Sequence, residues 1–280
     1  MKNGGLAKVV FPEEACVLLA TYFKMKKVQN NGLYRSLIEV LCGVGDHVTH
    51  SHRVAIGELL QTFSGEELRI EALIEEAGKR PESYYRDLAH WLKAFAYVDK
   101  LAVDLRVLDL TKMQVAAFDF KELSKDPVLE RTTVLILSSL IWEDLQAGVY
   151  PRTIVVFDEV WRFFKGVKDY IEEMYRTFRK YSAGIVSITQ NAADYGDDEF
   201  ARMIFSNSFT KIFLEGGANR SLLTSELDLS ASDIERALSV ASKKPIYSEF
   251  FASSGRVSQV FRLYPNQELY ALANTENLNS

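Results

Sequence analysis

Asp158 and Glu159 stand at the end of the run Thr153-Ile154-Val155-Val156-Phe157, with Trp161 just beyond. A short, β-branched apolar stretch bounded by Pro151 before and acids after predicts a strand buried on both faces, as in the middle of a parallel sheet. Ligands of open α/β sheets sit outside the carboxyl ends of the strands. Two carboxylates there can divide the work of phosphoryl chemistry. One holds Mg²⁺, usually through water because the ion dehydrates reluctantly, and the other orients an attacking water. Asp158 suits the first role and Glu159 the second. The same pair also suits a plainer use, capping the next helix or remaining solvated.

A second polar terminus follows. Thr189-Gln190 comes directly after Ile185-Val186-Ser187-Ile188, so the Gln190 amide is placed to bond a terminal phosphate or the lytic water. Its alternative is to satisfy loop backbone. Arg176, Arg179 and Lys180 lie late in the helix predicted before that strand. Cations there complement the helix dipole, and a guanidinium also suits charge developing on a transferring phosphoryl group. Asp119, ending an earlier apolar run, reads as a turn-former. His47, His50 and His52 read as a polar loop because no further ligand stands at metal-binding spacing.

The elements that must position these groups show a change of periodicity along the chain. From Pro12 to about Val98 apolar residues recur at helical spacing, and no strand is expected. Ser64-Gly65-Glu66-Glu67 predicts a capped helix start, ending near Gly78. Another helix is expected from Tyr84 to Val98. Then strands at Val115–Phe120, Ile154–Phe157, Ile185–Ile188 and Phe209–Leu214 alternate with helices at Pro127–Gln146, Asp169–Tyr181 and Asp197–Phe205. That alternation predicts a parallel sheet with right-handed crossovers. Beyond Gly216-Gly217 a short helix opens at Ser230 or Ser232. Runs at Ile246–Phe251, Val257–Tyr264 and Leu269–Leu272 predict antiparallel strands, and Ala273–Ser280 a frayed tail. The expected fold is α/β: a parallel sheet flanked by helices, with an N-terminal helical subdomain over residues 1–98 and a core over 99–280.

Bulk properties exclude several classes. The 280 residues are 48% hydrophobic and 25% charged, within the globular range. A net charge of -5 and a pI near 5.6 argue against a surface generally coated for nucleic acid. Cys16 and Cys42 lack metal-ligand spacing and read as reduced core thiols. The start, Met1-Lys2-Asn3-Gly4-Gly5, has no apolar signal-peptide core. The longest apolar stretch, Val134 to Trp142, falls well short of the ~20 residues of a membrane span.

Taken together, Thr153 to Trp161, Phe178-Arg179-Lys180-Tyr181 and Ile188-Thr189-Gln190 resemble the TraC/TrbE-like ATPases of conjugative type IV secretion systems, relatives of the HerA and FtsK pumps. In that family an apolar run precedes Asp-Glu-Ala-Trp, Arg-Lys-Tyr ends a helix, and Thr-Gln closes the next strand. The resemblance covers about residues 84–272 and implies a RecA-like ATPase core, Walker B roles for Asp158 and Glu159, a trans-acting arginine at Arg179 and a sensor at Gln190. It further implies ATP and Mg²⁺ as cofactors and a homo-oligomer, hexameric in the full-length family. Other type IV secretion components are its implied partners, DNA a translocation substrate, and the cytoplasmic face of the bacterial inner membrane its location.

Two departures qualify the resemblance. Val160 replaces the usual small residue. More seriously, no Gly-x-x-x-x-Gly-Lys-Ser/Thr occurs in the chain, and Gly78-Lys79 is followed by Arg80 and closes a helix. The expectation is therefore the C-terminal portion of a motor domain, poorly active alone. Its rival is a non-catalytic scaffold retaining the ATPase shape.

Overall fold

The computed structural model describes residues 5–28, 32–43, 47–102, 114–159, 164–190, 199–217, 220–225, 229–255 and 257–273. The elements are β1 (Gly5–Val9), α1 (Pro12–Met25), α2 (Gly32–Leu41), α3 (His50–Thr62), α4 (Ile70–Gly78) and α5 (Ser83–Leu92), which runs into a 3-10 turn over Lys93–Lys100. Next come β2 (Val115–Asp119), α6 (Pro127–Gln146), β3 (Thr153–Asp158), α7 (Phe164–Thr177) with a 3-10 extension over Phe178–Tyr181, and β4 (Ala183–Ile188). The chain continues with α8 (Glu199–Asn207), β5 (Thr210–Leu214), α9 (Arg220–Ser225), α10 (Ala231–Leu238), β6 (Ser242–Lys243), β7 (Tyr247–Ser254), β8 (Val257–Leu263) and α11 (Gln267–Ala273). The fold is α/β, with parallel pairing, flanking helices and antiparallel strands at the C-terminal end.

Two compact units divide the chain. The first comprises residues 1–155 and 162–186, the second residues 156–161 and 187–280. The first is centred on α6, which packs on α1, α2 and α7. Pro127 begins α6 without losing a needed N–H, and the Asp126 carboxylate accepts from the amides of Val128 and Leu129, both at 3.1 Å. Gly148, at φ 69°, ends it by taking a left-handed turn that frees the carbonyls of the last turn to be bonded. Most of its length is buried, so Leu135 and Ile136 each contribute about 1.5–3 kcal/mol from burial alone. The Tyr22 hydroxyl meets Ser139 Oγ at 3.3 Å, and Lys26 pairs with Glu143, which fastens α1 to α6.

The helical pattern after Pro12 holds, and an unexpected strand precedes it. β1 pairs parallel with β2 from Gly5 beside Val115 to Val9 beside Asp119. α4 begins later than expected. Ser64-Gly65-Glu66-Glu67 forms a turn and an isolated bridge to Lys27, and the orphan amides of Ile70 and Glu71 are met instead by the Asp99 carboxylate at 3.0 and 2.8 Å. A distant side chain thereby takes the place of the local cap.

The second unit holds an antiparallel sheet in which β7 lies between β5 and β8, with β6 also paired to β7. One face of this sheet, bearing Phe213 and Phe251, closes on Phe205, Leu223, Ile234, Ala237 and Val240. One expectation is corrected here, the strand at Leu269–Leu272, and two others are made specific. β5 is hydrogen-bonded antiparallel to β7, because Leu214 meets Phe250 and Thr210 meets Ser254. The run at Leu269–Leu272 is helical, within α11; with only Gln267 and Glu268 after Pro265-Asn266, the chain turns into a helix capped by the Tyr270 N–H bond to Asn266. Of the two possible caps, Ser230 starts α10, accepting from the Asp233 amide at 3.2 Å.

Candidate functional site

β3 and β4 form a hydrogen-bonded pair. The Thr153 N–H donates to the Ser182 carbonyl at 3.4 Å, so the two strands begin side by side and run the same way. In a parallel ladder that bond sets Thr153 opposite Ala183. The carboxyl ends of both strands fall within the second unit. Continuing the register sets Asp158 opposite Ile188, and Thr189 and Gln190 follow directly after the end of β4.

Asp158 and Gln190 are exposed, whereas Glu159 and Thr189 are half-buried. Glu159 has φ 53°, in the left-handed region where side-chain-bearing residues are rare. Such a conformation costs about 1–3 kcal/mol and is concentrated at functional turns. It breaks the strand alternation immediately after Asp158. Ser182, at φ 56°, makes the corresponding left-handed entry into β4. The placement of Asp158 at the end of one strand and of Thr189-Gln190 after the next was readable in the sequence. The left-handed turn at Glu159 carried no such signal.

Arg179 lies on the 3-10 extension of α7 and belongs to the first unit, whereas Asp158, Glu159 and Gln190 belong to the second. Its side chain is exposed and makes no ion pair with the described residues. Arg176 differs, being held by Glu172 one turn earlier, which accounts for it structurally. Buried Ile171, Met174 and Phe178 seat this segment, and the Phe178 ring meets Trp142 of α6 edge-on at 5.3 Å. Trp161 and Val160 lie outside the described residues.

Asp119 is a turn-former: its Oδ1 accepts from the Lys121 amide at 2.9 Å. Cys16 and Cys42 are free and buried. Burial pushes the Cys42 thiol up to about 12, with Glu39 adding to it. The histidines depart from the polar loop. His50 and His52 lie on α3, and His52 is buried against Trp91, where its Nδ1 accepts from the Thr49 amide at 3.1 Å and stands in for the capping-box acid. His47 packs edge-on to the same indole.

The donor set bears on what the acidic end can hold. Among the described residues no three His, Cys, Asp or Glu side chains group closely enough to cage a metal. One exposed carboxylate nevertheless fits Mg²⁺, which retains most of its waters and takes one or two carboxylates together with substrate phosphates. The pattern Gly-x-x-x-x-Gly-Lys-Ser/Thr, the usual cradle for those phosphates, does not occur in the 280 residues. Among the described residues, no helix is long and apolar enough to cross a membrane.

Comparison with known proteins places these observations. No curated protein matches. The chain is similar to the structure of VirB4 of Thermoanaerobacter pseudethanolicus, with a TM-score of 0.60 at 16% identity over 95% of this chain and 83% of that one. That likeness shows the fold. The TraG P-loop domain matches residues 82–280, which contain β2 to β8 and every residue of the acidic end. The chain belongs to the TraG P-loop domain family.

Proposed function

We propose that this chain is the C-terminal part of a type IV secretion motor ATPase of the TraC/TrbE kind, coupling ATP hydrolysis to transfer of DNA or protein or to pilus assembly. The observation that carries the reading is that Asp158 ends β3 and Gln190 closely follows the end of the paired strand β4, with Glu159 in a left-handed conformation directly after Asp158. Asp158 would hold hydrated Mg²⁺, which supplies charge neutralisation to the phosphates when bound. Glu159 would accept a hydrogen bond from the attacking water and orient it. The Gln190 amide would bond the same water or the terminal phosphate and report which nucleotide is present. Arg179, exposed and unpaired among the described residues, would act on the nucleotide of a neighbouring subunit in a hexamer. The motor would work with other secretion components at the cytoplasmic face of the bacterial inner membrane, and the phosphate-gripping loop would come from outside these residues.

A second reading, a non-catalytic scaffold with the ATPase shape, is favoured by the absence of Gly-x-x-x-x-Gly-Lys-Ser/Thr from a matched P-loop domain. A double-stranded DNA pump of the HerA or FtsK type would use the same core. Complementation separates motor from scaffold. The chain is mixed with a P-loop-bearing partner, and ATP turnover is measured with and without Arg179→Ala. Rescue that disappears with the substitution supports the motor; no rescue by any loop-bearing partner supports the scaffold.

A further inference from the structure

His52 occupies the third position of α3, where a helix that closes on its own N-cap ordinarily carries Glu or Gln. The residue is buried, at 7% exposure, and its two ring nitrogens have different surroundings. Nδ1 accepts from the Thr49 amide at 3.1 Å and lies 2.8 Å from the Thr49 hydroxyl. An amide N–H can only donate, so Nδ1 carries no proton in this arrangement and the neutral ring keeps its proton on Nε2. Nε2 makes no hydrogen bond among the described residues and stands 3.5 Å from the Asp87 carboxylate of α5. The ring also packs on Trp91 of α5, with centroids 4.9 Å apart. The other titratable or charged groups around it are accounted for. Tyr84 of α5 meets the ring edge-on at 6.5 Å, His47 shares the Trp91 indole, His50 is exposed at the start of α3, and Arg53 is drawn off to Glu39 of α2.

We propose that His52 makes the entry of α3 a proton-sensitive latch, which holds the Thr49 amide when neutral and, on taking one proton from solvent, releases that amide and pairs with Asp87. Each state satisfies one end of the ring. In the neutral state the cap is met, and a buried Nε2–H faces a carboxylate without a bond. In the charged state the ion pair is met and the new Nδ1–H turns to the Thr49 hydroxyl, which can accept it, whereas the Thr49 N–H faces a donor and is left to water. Gln in this position would go on accepting at every pH; histidine changes state within the physiological range. Release leaves the segment before α3 fastened by His47, whose Nε2 lies 3.0 Å from the Cys42 carbonyl. All of these residues belong to the first unit, and the latch is independent of the motor reading.

Amide exchange on the 280-residue chain tests the latch, with the Thr49 rate divided by that of an unprotected peptide at each pH. Between about pH 8 and about pH 5, Thr49 protection should fall at least about threefold, the scale of a lost N-terminal helix bond. NMR of the ring nitrogens should show Nδ1 bare at the upper pH and both nitrogens protonated at the lower. His52→Gln keeps an acceptor that does not titrate, and Thr49 protection should then stay constant across the range. Asp87→Asn removes the partner of the charged ring, so release should need more acid. A proton on Nδ1 at the upper pH overturns the latch, as does a ring that stays neutral at the lower pH in the folded chain. So does a doubly protonated ring with Thr49 still protected, or an equal fall in His52→Gln. The ring measurement is made on the unsubstituted chain, so it decides the matter even if His52→Gln does not fold.

Discussion

At the level of single residues, two arginines three positions apart in one helical segment have different fates. Arg176 is held by Glu172, while the exposed Arg179 has no ion-pair partner among the described residues. If Arg179 acts across a subunit boundary, Arg179→Ala in a loop-complemented assembly lowers kcat by about 10³-fold or more. Arg176→Ala should leave turnover within about twofold, because an exposed helix pair contributes only about 0.3–0.5 kcal/mol. Steady-state ATPase assays on the two variants check the contrast. Cys42 makes a separate prediction about pH. Its thiol is raised from 9.0 to about 12 in the folded chain by burial, with Glu39 adding to it. The stability it contributes is therefore complete below pH 9 and is lost as pH rises toward 12. Urea unfolding at pH 8 and 10.5 should show wild type losing about 2 kcal/mol more than Cys42→Ala, at about 1.36 kcal/mol per pH unit.

Among the elements, α4 depends on a carboxylate from far along the chain. Asp99 accepts from the amides of both Ile70 and Glu71, so Asp99→Ala should cost about 0.5–2 kcal/mol and lower the thermal midpoint of the first unit. Ser64→Ala should change nothing measurable. Calorimetry on the two variants distinguishes the tertiary cap from the local one that the sequence suggests. Elements with local start and stop signals were legible: α6 between Asp126-Pro127 and Gly148, β3 between Pro151 and the acids, α10 from Ser230. Elements decided by distant partners were not. β1 carries Lys8 within its short apolar run and is specified by pairing with β2 more than a hundred residues later. β5 was legible as a strand and the runs after it as antiparallel strands, but which of them pairs with β5 was not. The candidate site divides similarly. Its residue types and their placement at strand ends were visible in the sequence, whereas the left-handed backbone of Glu159 was not.

For the whole molecule, the contact division runs through β3 and β4 themselves, so that the acidic and amide ends belong with the C-terminal sheet and Arg179 with the helical unit. In the proposed reading, such a chain would contribute carboxylates, amide and guanidinium to phosphoryl transfer and would take its phosphate grip from elsewhere. The isolated 280 residues should therefore show no Mg²⁺-dependent ATP turnover above background. Membership of the TraG P-loop domain family sets the frame, and the assignment of Asp158 and Glu159 to metal and water within it is what the functional account stands on. The most direct measurement is ATP turnover, with nucleotide binding followed in parallel, in the loop-complemented assembly carrying Glu159→Gln. The account predicts turnover reduced by at least about 10²-fold with nucleotide still bound, as loss of a group that orients the attacking water requires. Turnover equal to wild type, or robust hydrolysis by the isolated chain that ignores the substitution, would contradict it.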